Sequence, residues 1–198
     1  EFQRQSFSDV VLDLARRYQL PIETVDGPQQ ERLRQQLSRR DKLQRALALA
    51  SGWFRTQLRS PAGQEALNYL TEQRGLSPAV QDAFELGYAP DQWDGLLNHL
   101  QQVEGLAPDL LEAAGLVVPR KGGNGFYDRF RHRVIVPIHD RQGRVIGFGG
   151  RSLDGSEPKY LNSPETEVFE KGKHLFGLDK ASNAIRKDDR AVVVEGYF

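Results

Sequence analysis

The segment Phe126–Leu178, FYDRFRHRVIVPIHDRQGRVIGFGGRSLDGSEPKYLNSPETEVFEKGKHLFGL, decides the fold. It opens with a cationic strand, Arg133–Asp140 (RVIVPIHD), whose β-branched residues suit a pleated, half-buried surface. The turn Asp140-Arg141-Gln142-Gly143 carries Gly where a positive φ is needed, and Arg144–Arg151 (RVIGFGGR) returns as the second strand. The expectation is a β-hairpin edged with arginine. Gly147, Gly149 and Gly150 strip the second strand of side chains, which predicts a bulge or the close approach of another backbone or a ligand. Next comes Pro158–Pro164 (PKYLNSP), an extended, proline-bracketed piece with a cation, an aromatic and an amide in succession. A cation holds a phosphate, an aromatic face stacks a base at roughly 1–3 kcal/mol, and an amide hydrogen-bonds sugars or base edges. The same residues also read as a polar loop with a half-buried Tyr, and residue types alone leave both readings standing.

Further along, Glu167–Lys173 offers Lys171 and Lys173, and Asp179–Arg186 reads as a helix. Ala191–Val194 reads as a short buried strand of the kind found at the centre of a parallel sheet, with Glu195 at its carboxyl end, where α/β sheets present catalytic groups. Before the hairpin the chain is helical. An amphipathic run Val10–Tyr18, N-capped by Ser6 or Ser8, is followed by a linker, Leu20–Pro28. Gln29–Arg45 is rich in Gln, Arg and Lys, which suits a solvated helix or one seeking a partner. Leu43, Leu47, Ala50, Phe54 and Leu58 then recur at three- to four-residue steps and predict a core-facing stripe. Helices follow at Ala62–Gln73, at Pro78–Phe84 capped by Ser77, from Trp93 to Val103, and at Asp109–Ala114. Leu86–Pro90 reads as a tight connection, Trp53 and Trp93 as core, and His99 as incidental.

The totals bound the class. A chain of 198 residues with mean hydropathy −0.58 buries a core without offering an apolar run long enough to cross a bilayer. No secretory signal pattern is present, and the absence of Cys excludes disulfides and thiolate metal sites within the chain, in keeping with a reducing cytoplasm. Net charge is zero, but it is unevenly spread. Residues 61–118 hold nine acidic side chains against Arg74 alone, whereas Arg120–Arg151 holds eight Arg or Lys against Asp128 and Asp140. A focused basic stripe steers a polyanion even on a neutral molecule, because screening limits each charge to about 8–10 Å. The alternative is that the acidic helices neutralise the basic hairpin internally.

Five blocks in order resemble the bacterial replicative DNA primases of the DnaG type. They are Tyr127–Arg131, Arg133–Ile138, Gly147–Arg151, Pro158–Thr166 and Val192–Phe198. The resemblance covers about the last 75 residues closely and the helical region more loosely. It implies an α+β fold with a helical front half, a small mixed β-sheet built on the Arg-rich hairpin, and the first strand of a truncated Toprim domain. It further implies that residues 1–28 are the end of a zinc-binding domain plus linker. Residues 29–190 would be the amino-terminal subdomain of the RNA polymerase core, helical over 29–118 and basic β over 119–178, and residues 191–198 would be the first Toprim strand. The chain starts at Glu1 without an initiator Met and reads as a fragment.

The activity that the resemblance implies is synthesis of short RNA primers on single-stranded DNA, by a nucleotidyltransferase of the cytoplasm. Nucleic acid would meet Arg74, Arg129, Arg131, Arg133, Arg151, Lys159, Tyr160, Asn162 and Lys171. Glu195 would be the catalytic, metal-binding carboxylate. Mg2+ or Mn2+ would bind at the Toprim site, mostly outside this chain, and Zn2+ in the upstream domain, whose ligands are absent here. Partners would be single-stranded template, RNA primer, ribonucleoside triphosphates and, through a missing carboxy-terminal region, the replicative helicase. One carboxylate does not complete a site for a divalent ion, so the fragment, expected to be monomeric, is expected to be inactive alone. The second reading is a non-catalytic, single-stranded nucleic-acid-binding regulatory module that keeps the groove without using it.

Overall fold

The computed structural model describes Tyr18 and residues 27–197. The expected helix over Val10–Tyr18 and most of the Leu20–Pro28 linker lie outside the described residues. The chain divides into two units, Glu1–Ser38 and Arg39–Phe198. In the first, Arg32, Arg34 and Leu37 stand exposed at the start of helix α1 (Gly27–Arg59). The second holds everything that follows.

The predicted apolar stripe of α1 is its buried face: Leu43, Ala46, Leu47, Ala50, Phe54 and Leu58 are each at most 1% exposed. Burying a large apolar side chain contributes roughly 1.5–3 kcal/mol, so this stripe is a principal anchor of the core. After α1 a helical rod runs through a 3-10 turn at Pro61–Gly63, α2 (Gln64–Asn68) and a π turn at Tyr69–Gln73. Helix α3 (Pro78–Ala83) begins where expected, with Ser77 Oγ accepting from the Val80 N–H. Helices α4 (Gly95–Gln102) and α5 (Pro108–Ala113) complete the front half. The amide donors at the start of α4 are taken by a distant carboxylate: Leu96 N–H and Leu97 N–H donate to Asp128 at 2.8 and 2.9 Å. Asp128 thereby caps a helix from a strand, where unsatisfied donors and the positive end of the dipole favour an anion.

The main sheet has four strands in the order β1 (Gly87–Ala89), β4 (Arg133–His139), β5 (Val145–Ser152) and β6 (Tyr160–Asn162). A separate two-stranded ribbon pairs β2 (Val117–Pro119) with β3 (Phe126–Asp128). The fold is α+β as expected, but every pairing is antiparallel, so the sheet is not the mixed one expected. The hairpin β4–β5 forms with Gly143 at φ +77 in its turn. The register slips between Ile138, opposite Gly147, and His139, opposite Val145, which leaves Ile146 as the bulged residue.

The structure corrects four further expectations. Strand β4 is buried along its whole length rather than half-buried, because both faces of the sheet are covered. Ile135 joins the cluster of Phe54, Phe148 and Phe130, while Val134 and Val136 join Tyr69, Leu70 and Tyr88 on the other side. Leu86–Pro90 is not merely a connection, since its Gly87–Ala89 pairs with Ile135–Arg133 as an edge strand. Trp53 packs against the core, but Trp93 is 59% exposed and is not a core residue. Finally, Ala191–Val194 is neither strand nor buried: Val192, Val193 and Val194 are 75–78% exposed, and the described residues offer them no strand to pair with. The helix expected at Asp179–Arg186 is present as α6 (Leu178–Asp188).

Candidate nucleic-acid interface

Within the extended segment expected at Pro158–Pro164, Tyr160–Asn162 forms edge strand β6, with Tyr160 opposite Arg151 and Asn162 opposite Gly149. Pairing to β5 fixes this stretch: Ser152 N–H donates to the Lys159 carbonyl at 3.0 Å, and Ser163 N–H to the Phe148 carbonyl at 2.8 Å. The Lys159 side chain is exposed, and Tyr160 is 41% exposed. The Arg151 guanidinium lies over the Tyr160 ring, 5.1 Å from its centre, a cation–π distance.

A buried tyrosine joins this edge to the helical rod. Tyr69 Oη accepts from Arg74 Nε at 2.7 Å and from Arg151 Nε at 3.2 Å. The two guanidinium carbons lie 5.2 and 5.9 Å from the Tyr69 ring centre. Arg74 and Arg151, 77 positions apart in sequence, are thus held side by side through one phenol oxygen. Like charges so placed repel, and a dianionic or polyanionic ligand relieves that repulsion.

Asn162 is fixed from both sides. Its carbonyl oxygen accepts from Arg129 Nη2 at 3.0 Å and Nε at 3.3 Å, and its Oδ1 accepts from Tyr197 Oη at 3.1 Å. Tyr197 reaches it because Gly149 has no side chain: a Cβ there would meet the Tyr197 ring at 2.6 Å. This is the close approach that the glycines of β5 predict. Burial raises the Tyr197 phenol above its ordinary pKa, keeping it a neutral donor. A cavity of about 680 Å³ opens here, lined by Tyr160, Asn162, Phe176, Glu195 and Tyr197 among others.

The remaining expected residues are dispersed. Arg133 is 6% exposed and donates to the carbonyls of Pro158, at 2.8 Å, and Gly150, at 3.4 Å; burial lowers its pKa. It ties the connector before β6 onto the sheet and presents no surface charge of its own. Arg131 donates to the Asp128 carbonyl at 2.5 Å and lies over Trp93. Lys171 has an exposed side chain on a 3-10 turn, its N–H donating to Glu165 Oε1 at 3.2 Å. The close contacts of acidic side chains in the helical stretch with basic side chains of the hairpin region run through histidines among the described residues: His132 Nε2 to Glu65 and His139 Nε2 to Glu85, both at 3.7 Å. Arg151 instead hydrogen-bonds the Tyr69 phenol oxygen.

Glu195 is exposed and borders the cavity, but no group of three or more His, Cys, Asp or Glu able to hold a metal occurs among the described residues. A hard divalent cation takes six or more oxygen ligands, so this donor set by itself does not fit one. Sequence reasoning missed Tyr69 and Tyr197, which position the cations and the amide. Neither carries a local signal, because each acts through contacts more than 30 positions away as well as near neighbours.

Residues 53–182 match the profile of the family described as DNA primase catalytic core, N-terminal domain. The DNA primase of Synechococcus elongatus is 58% identical over 198 residues, all of this chain and 28% of that protein, so the chain spans less than a third of that relative's length. The RNA polymerase domain of Mycobacterium tuberculosis primase DnaG, solved with a double-stranded DNA oligomer bearing a 6-nucleotide overhang, superposes with a TM-score of 0.73 at 41% identity. The match covers 79% of this chain and 49% of that one. A DnaG primase catalytic domain bound to single-stranded DNA superposes with a TM-score of 0.72 at 41% identity, covering 81% and 49% of the two chains. With the profile matched over more than half its residues, the chain belongs to the bacterial DnaG-type primase family, as part of its catalytic core.

Proposed function

We propose that this chain is the template-gripping part of a primase, and that the protein to which it belongs synthesises RNA primers on single-stranded DNA. The observation that carries the reading is the pairing of Arg74 and Arg151 on Tyr69, beside the exposed Tyr160, at an open sheet edge. Cations in pairs and a half-exposed ring on a free edge suit a flexible, stackable polyanion better than a rigid duplex. That relatives of this fold have been solved with DNA supports the same assignment. In this reading Arg74, Arg151, Lys159 and Lys171 meet phosphates, Tyr160 stacks on a base, and Arg129 and Tyr197 hold Asn162 for a polar contact. Arg131 meets phosphate on the ribbon side, and Arg133 holds the edge in shape from inside.

Residues 29–190 form the amino-terminal subdomain of the polymerase core, and residues 191–198 lead into the sheet that carries the catalytic metal. Glu195 is the contribution of this chain to that site, where Mg2+ or Mn2+ would neutralise triphosphate charge and align the attacking hydroxyl. The other metal ligands, the zinc site and the helicase contact belong to segments outside these 198 residues. The chain alone is inactive in ribonucleotide incorporation, and the protein works in the cytoplasm.

The test is fluorescence anisotropy of a labelled single-stranded oligonucleotide, with the blunt duplex of the same sequence as comparison. Binding of the single strand at low salt, tighter than the duplex, is expected. Equal affinity for both, or none for either, would remove the reading.

A further inference from the structure

Beside its buried stripe, helix α1 carries a second pattern. Arg45, Ala48, Ser51, Gly52 and Arg55 fall within about a third of a turn at 3.6 residues per turn. Two arginines, about 15 Å apart along the axis, thus bracket a floor of small residues. Facing this floor are Glu85, which follows α3, and Arg144 from the β4–β5 turn. Together these residues line a cavity of about 460 Å³, a size within the range of small-ligand sites.

The lining carries unused bonding capacity. Ser51 is 4% exposed and its hydroxyl has no hydrogen-bond partner, although a helical hydroxyl can donate to the carbonyl four residues back, as Thr56 does to Gly52 at 3.1 Å. Among the described residues, the other buried side-chain atom in that condition is His139 Nε2, 3.7 Å from Oε2 of Glu85. A buried polar group without a partner costs more than a hydrogen bond gains, so two at one place point to a missing occupant. Arg45 and Arg55 are exposed, and neither side chain makes an ion pair or hydrogen bond with a described residue. Arg144 is oriented by its own turn, with Asp140 accepting from its Nε at 2.8 Å and from its N–H at 2.9 Å. Gly52 gives an independent sign. A Cβ there would meet nothing within 4 Å, so no packing within the fold demands glycine, yet a helix interior disfavours it more than any residue except proline. Its missing side chain leaves the floor open to the close approach of a ligand.

We infer that this cavity is a nucleotide site separate from the template edge, which takes a nucleoside diphosphate. The diphosphate lies among the guanidinium groups of Arg45, Arg55 and Arg144, and the ring lies on the Ala48–Gly52 floor. Glu85 decides between ligand classes. Its carboxylate would repel a bare polyanion, whereas a nucleoside brings hydroxyl donors for it to accept from. Val145, at the cavity, and Arg151, at the template edge, stand six residues apart on β5, which separates the two places by about 20 Å. A ligand held here is therefore not a reacting nucleotide, and it displaces no template phosphate.

The test is calorimetric titration of ADP, and of inorganic pyrophosphate as the phosphate-only probe, into the chain without divalent metal, so that no metal site at Glu195 contributes. Saturable ADP binding, about fivefold or more tighter than pyrophosphate, is expected. Arg45→Ala/Arg55→Ala should weaken ADP about tenfold or more, and Gly52→Leu, which fills the floor, should do the same. Arg151→Ala/Lys159→Ala should leave ADP affinity unchanged. ADP binding that survives the Arg45→Ala/Arg55→Ala change, that disappears with Arg151→Ala/Lys159→Ala, or that is no tighter than pyrophosphate overturns the site. Absence of ADP binding at millimolar concentration overturns it as well. Oligo-dT binding, followed on the same variants, is expected to be lost only with the Arg151→Ala/Lys159→Ala change, so failure of this site and failure of the template edge are read separately. Circular dichroism checks that each variant is folded; if Gly52→Leu is not, the exposed arginine pair decides.

Discussion

The carboxylate of Asp128 is 3% exposed, and loss of hydration pushes its pKa from the ordinary 3.8 up to about 6, with the Leu96 and Leu97 N–H groups opposing the rise. Between those values the folded chain binds more proton than the unfolded chain, so this group's contribution to stability falls as pH rises from about 4 to 6. Two pK units correspond to a ceiling of roughly 3 kcal/mol. Asp128→Asn cannot ionise and keeps one acceptor for the helix. Denaturant midpoints measured from pH 4.5 to 7 should therefore fall for the wild type relative to the variant, and parallel profiles would contradict the assignment. Arg133 gives a second residue-level contrast. Arg133→Ala strands the Pro158 and Gly150 carbonyls and should cost about 1–3 kcal/mol in a urea melt, whereas Lys159→Ala should leave the melt within about 0.5 kcal/mol. Both were legible as cations in a basic stretch. What separates them is burial, which depends on the layers packed over each face of β4, and no local pattern around Arg133 records those layers.

At the scale of elements, the helix α1 and the hairpin were legible because each is long enough to show its period: six apolar residues along one helical stripe, and seven- and eight-residue strands around an Asp–Gly-bounded turn. The strands β1, β2, β3 and β6 have three residues each, too few for alternation to register, and only pairing with distant partners defines them. Where α1 crosses β1 the backbones nearly touch, since a Cβ on Gly87 would meet Phe54 Cβ at 2.6 Å and its carbonyl carbon at 2.9 Å. Gly87→Ala must push helix and strand apart and should destabilise by about 1–3 kcal/mol, read from the urea midpoint. Tyr69 joins the helical rod to β5. Tyr69→Phe keeps the ring in its cluster but removes the shared acceptor of Arg74 and Arg151. Single-stranded DNA affinity should drop about two- to tenfold as the two guanidinium groups lose their common orientation, and an unchanged affinity would show that the phenol oxygen does not organise the site.

For the whole molecule, zero net charge conceals an acidic helical front and a basic hairpin region. Neutralisation within the fold is limited among the described residues, where His132–Glu65 and His139–Glu85 are the pairs joining the two regions. The polarity was legible from counts along the chain; the place where it concentrates was not, because Arg74 comes from the acidic half and meets Arg151 of the edge on the Tyr69 phenol. Glu195 lies against the same cavity as Tyr160 and Asn162, which puts the proposed catalytic carboxylate beside the proposed template edge. The carboxyl-terminal valines that precede it read as a strand from residue type and from the family resemblance, and the antiparallel sheet of the described residues gives them no partner.

The central claim is that the Arg74–Arg151–Lys159 edge holds the phosphates of a single strand. It is tested by the salt dependence of oligo-dT binding, measured for the wild type and for Arg151→Ala/Lys159→Ala. Each phosphate contact on a single strand contributes about 0.7 to the slope of log affinity against log salt. The account predicts weaker binding by the double variant at every salt concentration and a slope shallower by about 1 to 1.5. Equal slopes for the two proteins would contradict it and move the phosphate-binding surface elsewhere.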